Sequence, residues 1–292
     1  MLTQFILLFE QYPVVYLGTL FVFGSLVGSF LNVVIYRLPV MMQREWRSEC
    51  LEFLEQQPDE TDNERFNLWV PRSRCGKCGH QITALENIPM ISYLVLGGKC
   101  SSCKTSISPQ YPLVELFTAI VSVVIGWHFG VSLQALAALF LSWALIAASG
   151  IDIGHKLLPD NITLPLLWLG MLLGLFEVFV TLEESVIGAM AGYLSLWSVF
   201  ILFKLFTGKE GMGYGDFKLL AVIGAWLGWK PLFAVILTSS MVGAVVGISM
   251  ILLKVTERGT QIPFGPYIAA AGWITLIWGD ELMRFYANLF QI

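Results

Sequence analysis

Two aspartates beside apolar segments are the residues of this sequence best suited to chemistry. Asp216 follows three alternate glycines in the stretch 211–218 and directly precedes an apolar run, and Asp152 ends another apolar segment. A carboxylate beside a membrane-embedded segment is expensive to hold there, so its presence favours a functional site. The alternative for Asp216 is a polar turn in which this residue caps the next helix.

A pair of carboxyl groups at a membrane interface can work as an acid and a base. The two groups do not both ionise easily, so one holds a proton while the other carries charge. Such a pair can activate water against a peptide bond. The sequence therefore predicts an aspartic peptidase with Asp152 and Asp216 as its dyad. His155 is interpreted as a solvated loop residue, and Asp160, a rival for Asp152, follows Pro159 in a context typical of a turn and helix start.

Four cysteines are arranged as two C-x-x-C pairs. The pairs are Cys75 with Cys78 and Cys100 with Cys103. Together they supply four thiolates for a tetrahedral site that suits Zn²⁺. Because the four cysteines would occupy all four coordination positions of the ion, the zinc is expected to be structural, with one ion per chain. Its binding free energy would fold a small loop that lacks a sizeable core.

The composition is that of a polytopic α-helical membrane protein. Of 292 residues, 56% are hydrophobic and only 13% are charged, whereas a soluble domain has about a quarter charged. Eight apolar segments are each interpreted as a transmembrane helix, although the segment 217–229 is short for a span. The eight segments are 14–36, 112–129, 133–151, 162–180, 185–205, 217–229, 231–253 and 264–286.

The distribution of basic residues predicts the orientation and the domains. An outside N-terminus leaves only Lys230 and Arg284, of 17 Lys and Arg residues, in outer loops, as the positive-inside rule requires. Both aspartates then face the cytoplasm. We expect three regions. They are a first transmembrane helix (1–36), a cytoplasmic zinc-binding loop domain (37–111) and a transmembrane peptidase domain (112–292).

Four stretches of the sequence together resemble the type IV prepilin peptidases. The combination is specific and spans most of residues 28 to 220. The stretches are GSFLNVVIYRLP at 28–39, the two C-x-x-C pairs around ENIPMISYLVLGGKC and followed by QYPLVE, IDIGHKLLPDNITLP at 151–165, and GMGYGDFKLL at 211–220.

This resemblance implies a bifunctional enzyme of the bacterial inner membrane, acting in type IV pilus and type II secretion systems. Asp152 and Asp216 would be catalytic, with Gly213 and Gly215 in the G-x-G-D element shared with presenilin-type proteases. The enzyme would cleave prepilins and pseudopilins after a glycine of a short basic leader. It would then methylate the new N-terminal residue with S-adenosylmethionine. Gln110 stands where the family usually has arginine.

The methyl-donor site is not assigned by the sequence. A Rossmann methyltransferase needs a glycine-rich strand–loop–helix, and no such pattern occurs in this chain. Gly97, Gly98, Glu86 and Asn87 are candidates only because they lie in the same loop as the cysteines. Methylation is therefore expected on the resemblance alone.

Two other functions fit parts of the sequence. A general G-x-G-D protease would use the same dyad but has no need of a zinc loop. A proton-coupled transporter would use intramembrane carboxylates as relays, yet it should show internal repeats, and no convincing repeat is present. Expected partners are pilin-type substrates and membrane lipid, with no nucleic acid.

Overall fold

The computed structural model describes residues 2–56, 65–254 and 262–290. Its described residues form ten α-helices and no extended strand, which confirms the predicted all-α class. The helices are α1 (Leu2–Gln11), α2 (Pro13–Phe53), α3 (Ile91–Val95), α4 (Gln110–Phe129), α5 (Leu133–His155), α6 (Asp160–Leu175), α7 (Leu182–Thr207), α8 (Tyr214–Leu227), α9 (Leu232–Leu252) and α10 (Gly265–Phe290).

All eight predicted spans coincide largely with helices, although the span 162–180 runs past the end of α6 at Leu175. Among the described residues, five helices are both long and apolar enough to cross a membrane, namely α2, α4, α5, α7 and α9. Of the other three, α6 has 16 residues and α8 has 14. The third, α10, has 26 residues with a kink at Trp278. The chain is thus a polytopic helical membrane protein.

The chain divides into two compact units, 1–131 and 132–292. The sequence places the domain boundary between residues 111 and 112, at the start of α4. In the structure α4 lies in the same compact unit as the cysteine-containing loop. Both divisions put the four cysteines in one part of the chain and the two aspartates in the other.

The first unit is built on the pairing of α2 with α4. Gly24 and Gly28 of α2 lie against α4, where an added Cβ would come within 3.0 Å of Ala119 Cα and 2.7 Å of Glu115 Cα. Small residues at this spacing let two helix backbones approach closely. Asn32 joins the same helices by donating to the Tyr111 carbonyl at 3.0 Å.

Helix α2 continues well past the predicted membrane exit. Its apolar span ends near residue 36, but the helix runs on to Phe53 in spite of Pro39. The Arg37 side chain at this exit is buried and donates to the carbonyls of Asn67 and Pro71. A short helix, α1, precedes α2 and was not expected from the sequence.

The second unit surrounds α8. Its residues from Phe217 to Trp226, apart from Lys218, are buried. Gly188 of α7 meets Gly224 of α8 backbone to backbone, and Trp226 Nε1 donates to the Leu166 carbonyl of α6 at 2.9 Å. A helix that is apolar on all sides is stable when protein encloses it. The burial of α8 explains why the short segment 217–229 is as apolar as a membrane span.

Candidate active site and metal centre

Asp152 lies in the last turn of α5 and is buried, with 5% of its surface exposed. The helix ends soon afterwards, because Lys156 takes a left-handed conformation (φ 54°). The Oδ2 atom of Asp152 accepts a hydrogen bond from the backbone N–H of Gly265 at 3.0 Å. A carboxylate held by a backbone amide keeps a fixed orientation.

Asp216 lies at the N-terminus of α8 and is also buried, with 8% exposed. Gly213, rather than Asp216, is the N-cap residue of this helix. The Asp216 backbone N–H donates to the Gly213 carbonyl at 3.3 Å, which closes the first turn of the helix. The turn interpretation of this stretch is therefore partly correct. It does not explain why the carboxylate is buried.

The two carboxyl groups lie close enough for the charge of Asp152 to act on Asp216. Leu158 packs between Gly215, which precedes Asp216, and Gly265, which donates to Asp152. A Cβ added to Gly215 would lie 2.7 Å from Leu158 Cβ, and one added to Gly265 would lie 3.0 Å from Leu158 Cδ1. Three helix ends thus meet at the pair: the C-terminus of α5 and the N-termini of α8 and α10. The partial positive charge of the two N-termini favours carboxylate there.

Gly265 is a site residue that the sequence analysis missed. It begins α10 within the stretch Pro263–Pro266, where a glycine stands between two prolines. A Cβ at this position would lie only 2.7 Å from Asp152 Oδ2. The Pro-Phe-Gly-Pro pattern was the available signal, because it marks a fixed turn into a helix. It does not reveal which residue the turn contacts.

Asp160 and His155 stand apart from this pair in their interactions. Both oxygens of Asp160 accept from Lys218 Nζ, at 2.7 and 2.8 Å. The ion pair joins the first turns of α6 and α8, and it is partly exposed. His155 is exposed at the end of α5. Gly213 has an ordinary φ of −81°, and a Cβ there would meet only Asp216 Oδ2, at 3.9 Å.

The four predicted cysteine ligands come together in the first unit. Their Sγ atoms all lie within 4.8 Å of one another. The Sγ atoms of Cys75 and Cys103 are 3.8 Å apart, and those of Cys78 and Cys100 are 4.0 Å apart. Tetrahedral bonds of about 2.3 Å to zinc would separate sulfurs by roughly 3.8 Å. The cluster therefore fits a metal ion held by four thiolates.

Each C-x-x-C pair sits on the same kind of knuckle. The N–H of Cys75 bonds the His80 carbonyl, and the N–H of Cys100 bonds the Thr105 carbonyl, both at 2.8 Å. Gly79 (φ 73°) closes the first knuckle, and Lys104 (φ 59°) takes the same left-handed position in the second. The local backbone thus presents two sulfurs from each pair.

Glu86 ties the two knuckles to the loop between them. It contacts His80 Nε2 at 3.2 Å and accepts two hydrogen bonds from Thr83, at 2.8 and 2.9 Å. Hydrogen bonds to the carboxylate, of which the one from Ser101 has the largest effect, lower the pKa of Glu86 to about 2. The stabilising effect of this carboxylate is present above its usual pKa of 4.5 and is lost as the pH falls towards 2.

Two of the four residues considered for the methyl-donor site, Glu86 and Gly98, pack against other residues of the same loop. Glu86 is held by the contacts above. A Cβ at Gly98 (φ 67°) would lie 3.0 Å from the Tyr93 ring. Gly97 (φ 61°) has open space around it. These described residues do not form the strand–loop–helix of a Rossmann donor site.

Comparison with known proteins covers both units. Residues 22–129 match the bacterial peptidase A24 N-terminal domain, and residues 139–248 match the type IV leader peptidase family. The gap between these matched ranges contains the boundary between the two compact units.

Curated relatives resemble nearly the whole chain. A prepilin leader peptidase/N-methyltransferase of Stutzerimonas stutzeri is 58% identical over 280 residues, covering 96% of each chain. Proteins with the same name from Pseudomonas aeruginosa and Aeromonas salmonicida are 56% and 54% identical, each covering 94% of this chain and 95% of the relative. No solved structure matches this chain.

Proposed function

The chain belongs to the type IV leader peptidase family, and we propose that Asp152 and Asp216 perform its peptidase reaction. The protein removes the leader from type IV prepilins and N-methylates the new N-terminus, the two activities that its relatives are named for. The observation that carries the proposal is the burial of both carboxyl groups at the ends of neighbouring helices, one of them fixed by Gly265 N–H.

The dyad works by sharing one proton. The ionised carboxylate takes a proton from water as the water oxygen attacks the peptide carbonyl carbon, and the protonated partner gives its proton to the leaving nitrogen as the C–N bond breaks. Because the charges interact, the pair titrates as a unit rather than as two independent residues. The backbone N–H of Gly265 holds the Asp152 carboxylate in place during this exchange. Gly213 leaves the space beside the Asp216 carboxylate open, since a Cβ there would lie 3.9 Å from Oδ2, and Gly215 makes room for Leu158.

Zinc is the ion we propose for the four-cysteine cluster. Thiolates in tetrahedral arrangement suit Zn²⁺, and the sulfur separations described above fit its bond length. A bound zinc ion would supply folding free energy to the loop. Cys75, Cys78, Cys100 and Cys103 would hold it, leaving no position open for a substrate.

Methylation would use S-adenosylmethionine, the donor implied by the methyltransferase activity of the family. We propose that the first unit, with its zinc loop, carries this activity and that the second unit carries the peptidase. The division follows the two family models, which match different units. Methylation needs a free amine, so it follows cleavage.

We place the protein in the bacterial inner membrane with its active site towards the cytoplasm. The count of basic residues supports this orientation, with only Lys230 and Arg284 left outside. Prepilins and pseudopilins would then present a basic leader to the cytoplasmic face. Their apolar helix would remain in the bilayer beside the dyad.

A single measurement tests both activities. Purified protein in lipid nanodiscs is incubated with a prepilin and S-adenosylmethionine, and mass spectrometry reports leader loss and an added methyl group. Asp152→Asn and Asp216→Asn should each abolish cleavage, because asparagine neither accepts nor gives the proton. The double variant should be no worse, since either carboxyl group alone is useless.

Asp160→Asn is the matched control, because it makes the same chemical change at a nearby carboxylate. It should keep cleavage, since a partly exposed ion pair contributes about 1 kcal/mol or less to stability. Asp216→Asn should still methylate a peptide supplied without its leader. Robust cleavage by either dyad variant would refute the assignment.

A further inference from the structure

The turn that precedes the first knuckle of the loop domain folds back along the membrane span of α2. We call residues 67–74 the juxtamembrane turn. The Trp69 ring stacks on Phe30, with centroids 5.8 Å apart and planes 28° apart. Phe30 lies within the apolar span of α2, about 10 Å along the helix from Arg37 at about 1.5 Å per residue. The turn therefore packs against the apolar span of α2 and not only against its end.

Polar backbone groups of the turn form hydrogen bonds within the protein, as an apolar environment requires. Asn67 Oδ1 accepts from the N–H groups of Trp69 and Val70, both at 2.8 Å. The Asn67 N–H donates to the Val70 carbonyl at 2.8 Å. The buried Arg37 guanidinium donates to the carbonyls of Asn67 and Pro71, at 2.9 and 2.6 Å. Non-helical backbone persists at membrane depth only when its polar groups are satisfied in this way.

The side chains of the turn divide into an apolar part and a basic part. Trp69 is 76% exposed and Val70 is 47% exposed, which would be costly in water. Arg72 and Arg74 follow directly and are also exposed. Tryptophan beside arginine is typical of the membrane–water interface, where the ring meets acyl chains and the cation meets phosphate.

Helix α3 also presents exposed apolar side chains beside a membrane-spanning helix. The N–H of Met90, just before α3, donates to Glu115 Oε2 in α4 at 2.8 Å. This bond places α3 beside the first two turns of a membrane-spanning helix. Ile91, Leu94 and Val95 on α3 are 59%, 77% and 79% exposed. A second apolar surface of the loop thus adjoins the lipid-facing surface of its unit.

We propose that the juxtamembrane turn and α3 are seated in the membrane interface, with Trp69 and Leu94 among acyl chains and Arg72 and Arg74 on anionic lipid headgroups. Lipid is favoured as the occupant because both surfaces continue from spans that face lipid. The neighbouring arginines also complement its phosphates. The zinc knuckles would then be tethered at the membrane surface.

Photolabelling tests the apolar contact on the unmodified full-length protein. Nanodiscs of phosphatidylcholine and phosphatidylglycerol carry a phospholipid with a photoactivatable group in its acyl chain, and mass spectrometry locates the label. Trp69 and Leu94 should be labelled as strongly as Val22 and Leu26 of α2. Lys77, at the exposed tip of the first knuckle, should carry no label. A labelled α2 with an unlabelled Trp69 and Leu94 would overturn the proposal.

A second arm separates lipid from substrate. The labelling is repeated with excess prepilin in the same nanodiscs. Label at Trp69 and Leu94 should persist if lipid is the resident occupant. Its loss on adding prepilin, with label on Val22 unchanged, would assign the surface to the substrate and refute the lipid seat.

The headgroup contact is tested with Arg72→Gln/Arg74→Gln, and Lys77→Gln serves as the control. Each arginine near an anionic surface strengthens association about fivefold, from about 1 kcal/mol per residue. Retention of phosphatidylglycerol over phosphatidylcholine, measured by native mass spectrometry, should therefore fall roughly 25-fold in the double variant. The control should retain lipid as the wild type does. Equal retention by both variants would contradict the headgroup assignment.

Discussion

Gly265→Ala is the sharpest test of how the dyad is held. A Cβ at this position would lie 2.7 Å from Asp152 Oδ2, whereas an ordinary contact begins at 3.4 Å. The carboxylate or the start of α10 must therefore move by about 0.7 Å. The Leu158 methyl groups, at 3.0 and 3.2 Å, restrict the other directions of movement.

The expected loss of activity follows from two magnitudes. The Gly265 N–H···Oδ2 bond, 3.0 Å long, joins a backbone donor to a charged acceptor and contributes about 1.5–3 kcal/mol. Its disruption would slow cleavage about 10- to 150-fold, at 1.36 kcal/mol per tenfold. A displacement near 1 Å costs about 100-fold by misalignment alone. We therefore expect kcat/KM to fall between 10- and 150-fold.

The assay is leader cleavage of a prepilin by purified protein in nanodiscs, with thermal unfolding measured in parallel. Gly154→Ala is the matched control, since it lies on α5 near Asp152 and an added Cβ there meets nothing within 4 Å. It should cleave at the wild-type rate. If Gly265→Ala cleaves within about twofold of the wild type while remaining folded, the dyad does not depend on this backbone contact.

Three further predictions concern the dyad, its packing and the metal. The pH–rate profile for cleavage should fall on both the acid and the alkaline side, because the Asp152–Asp216 pair must hold one proton; a single sigmoid would contradict the shared proton. Gly215→Ala should destabilise the protein by about 1–3 kcal/mol in thermal unfolding, because its Cβ would overlap Leu158; an unchanged midpoint would be evidence against this packing. Elemental analysis should find about one zinc per chain, lost in Cys75→Ser, while brief chelation leaves cleavage intact because a closed four-thiolate site is structural; zinc-free protein with normal methylation would contradict the structural role.

The sequence by itself determined the membrane class, most of the helical segments and the four cysteines that form a cluster able to hold a metal ion. Each of these depends on a local sequence pattern and not on how the helices pack together. A hydrophobic run long enough to cross the bilayer must be helical to satisfy its backbone. Two C-x-x-C pairs supply four thiolates wherever the loop lies.

The tertiary structure decided what lies around the aspartates. Asp152 and Gly265 are far apart in the sequence, and no periodic pattern connects a helix end with a glycine between two prolines. Gly213 and Gly215 look equivalent in the sequence, yet only Gly215 lies against Leu158. The close packing of α5, α8 and α10 sets these contacts, and a close-packed interior depends on every neighbouring side chain at once.

The position of the loop was also decided by tertiary contacts. Its charge predicts a cytoplasmic loop domain, but charge and composition do not show which part of the loop contacts a membrane span. The bonds from Arg37 to the carbonyls of Asn67 and Pro71, and the stack of Trp69 on Phe30, bring part of the loop back along α2. These contacts join residues distant in the chain, so only the folded structure reveals that an apolar turn lies beside a membrane span.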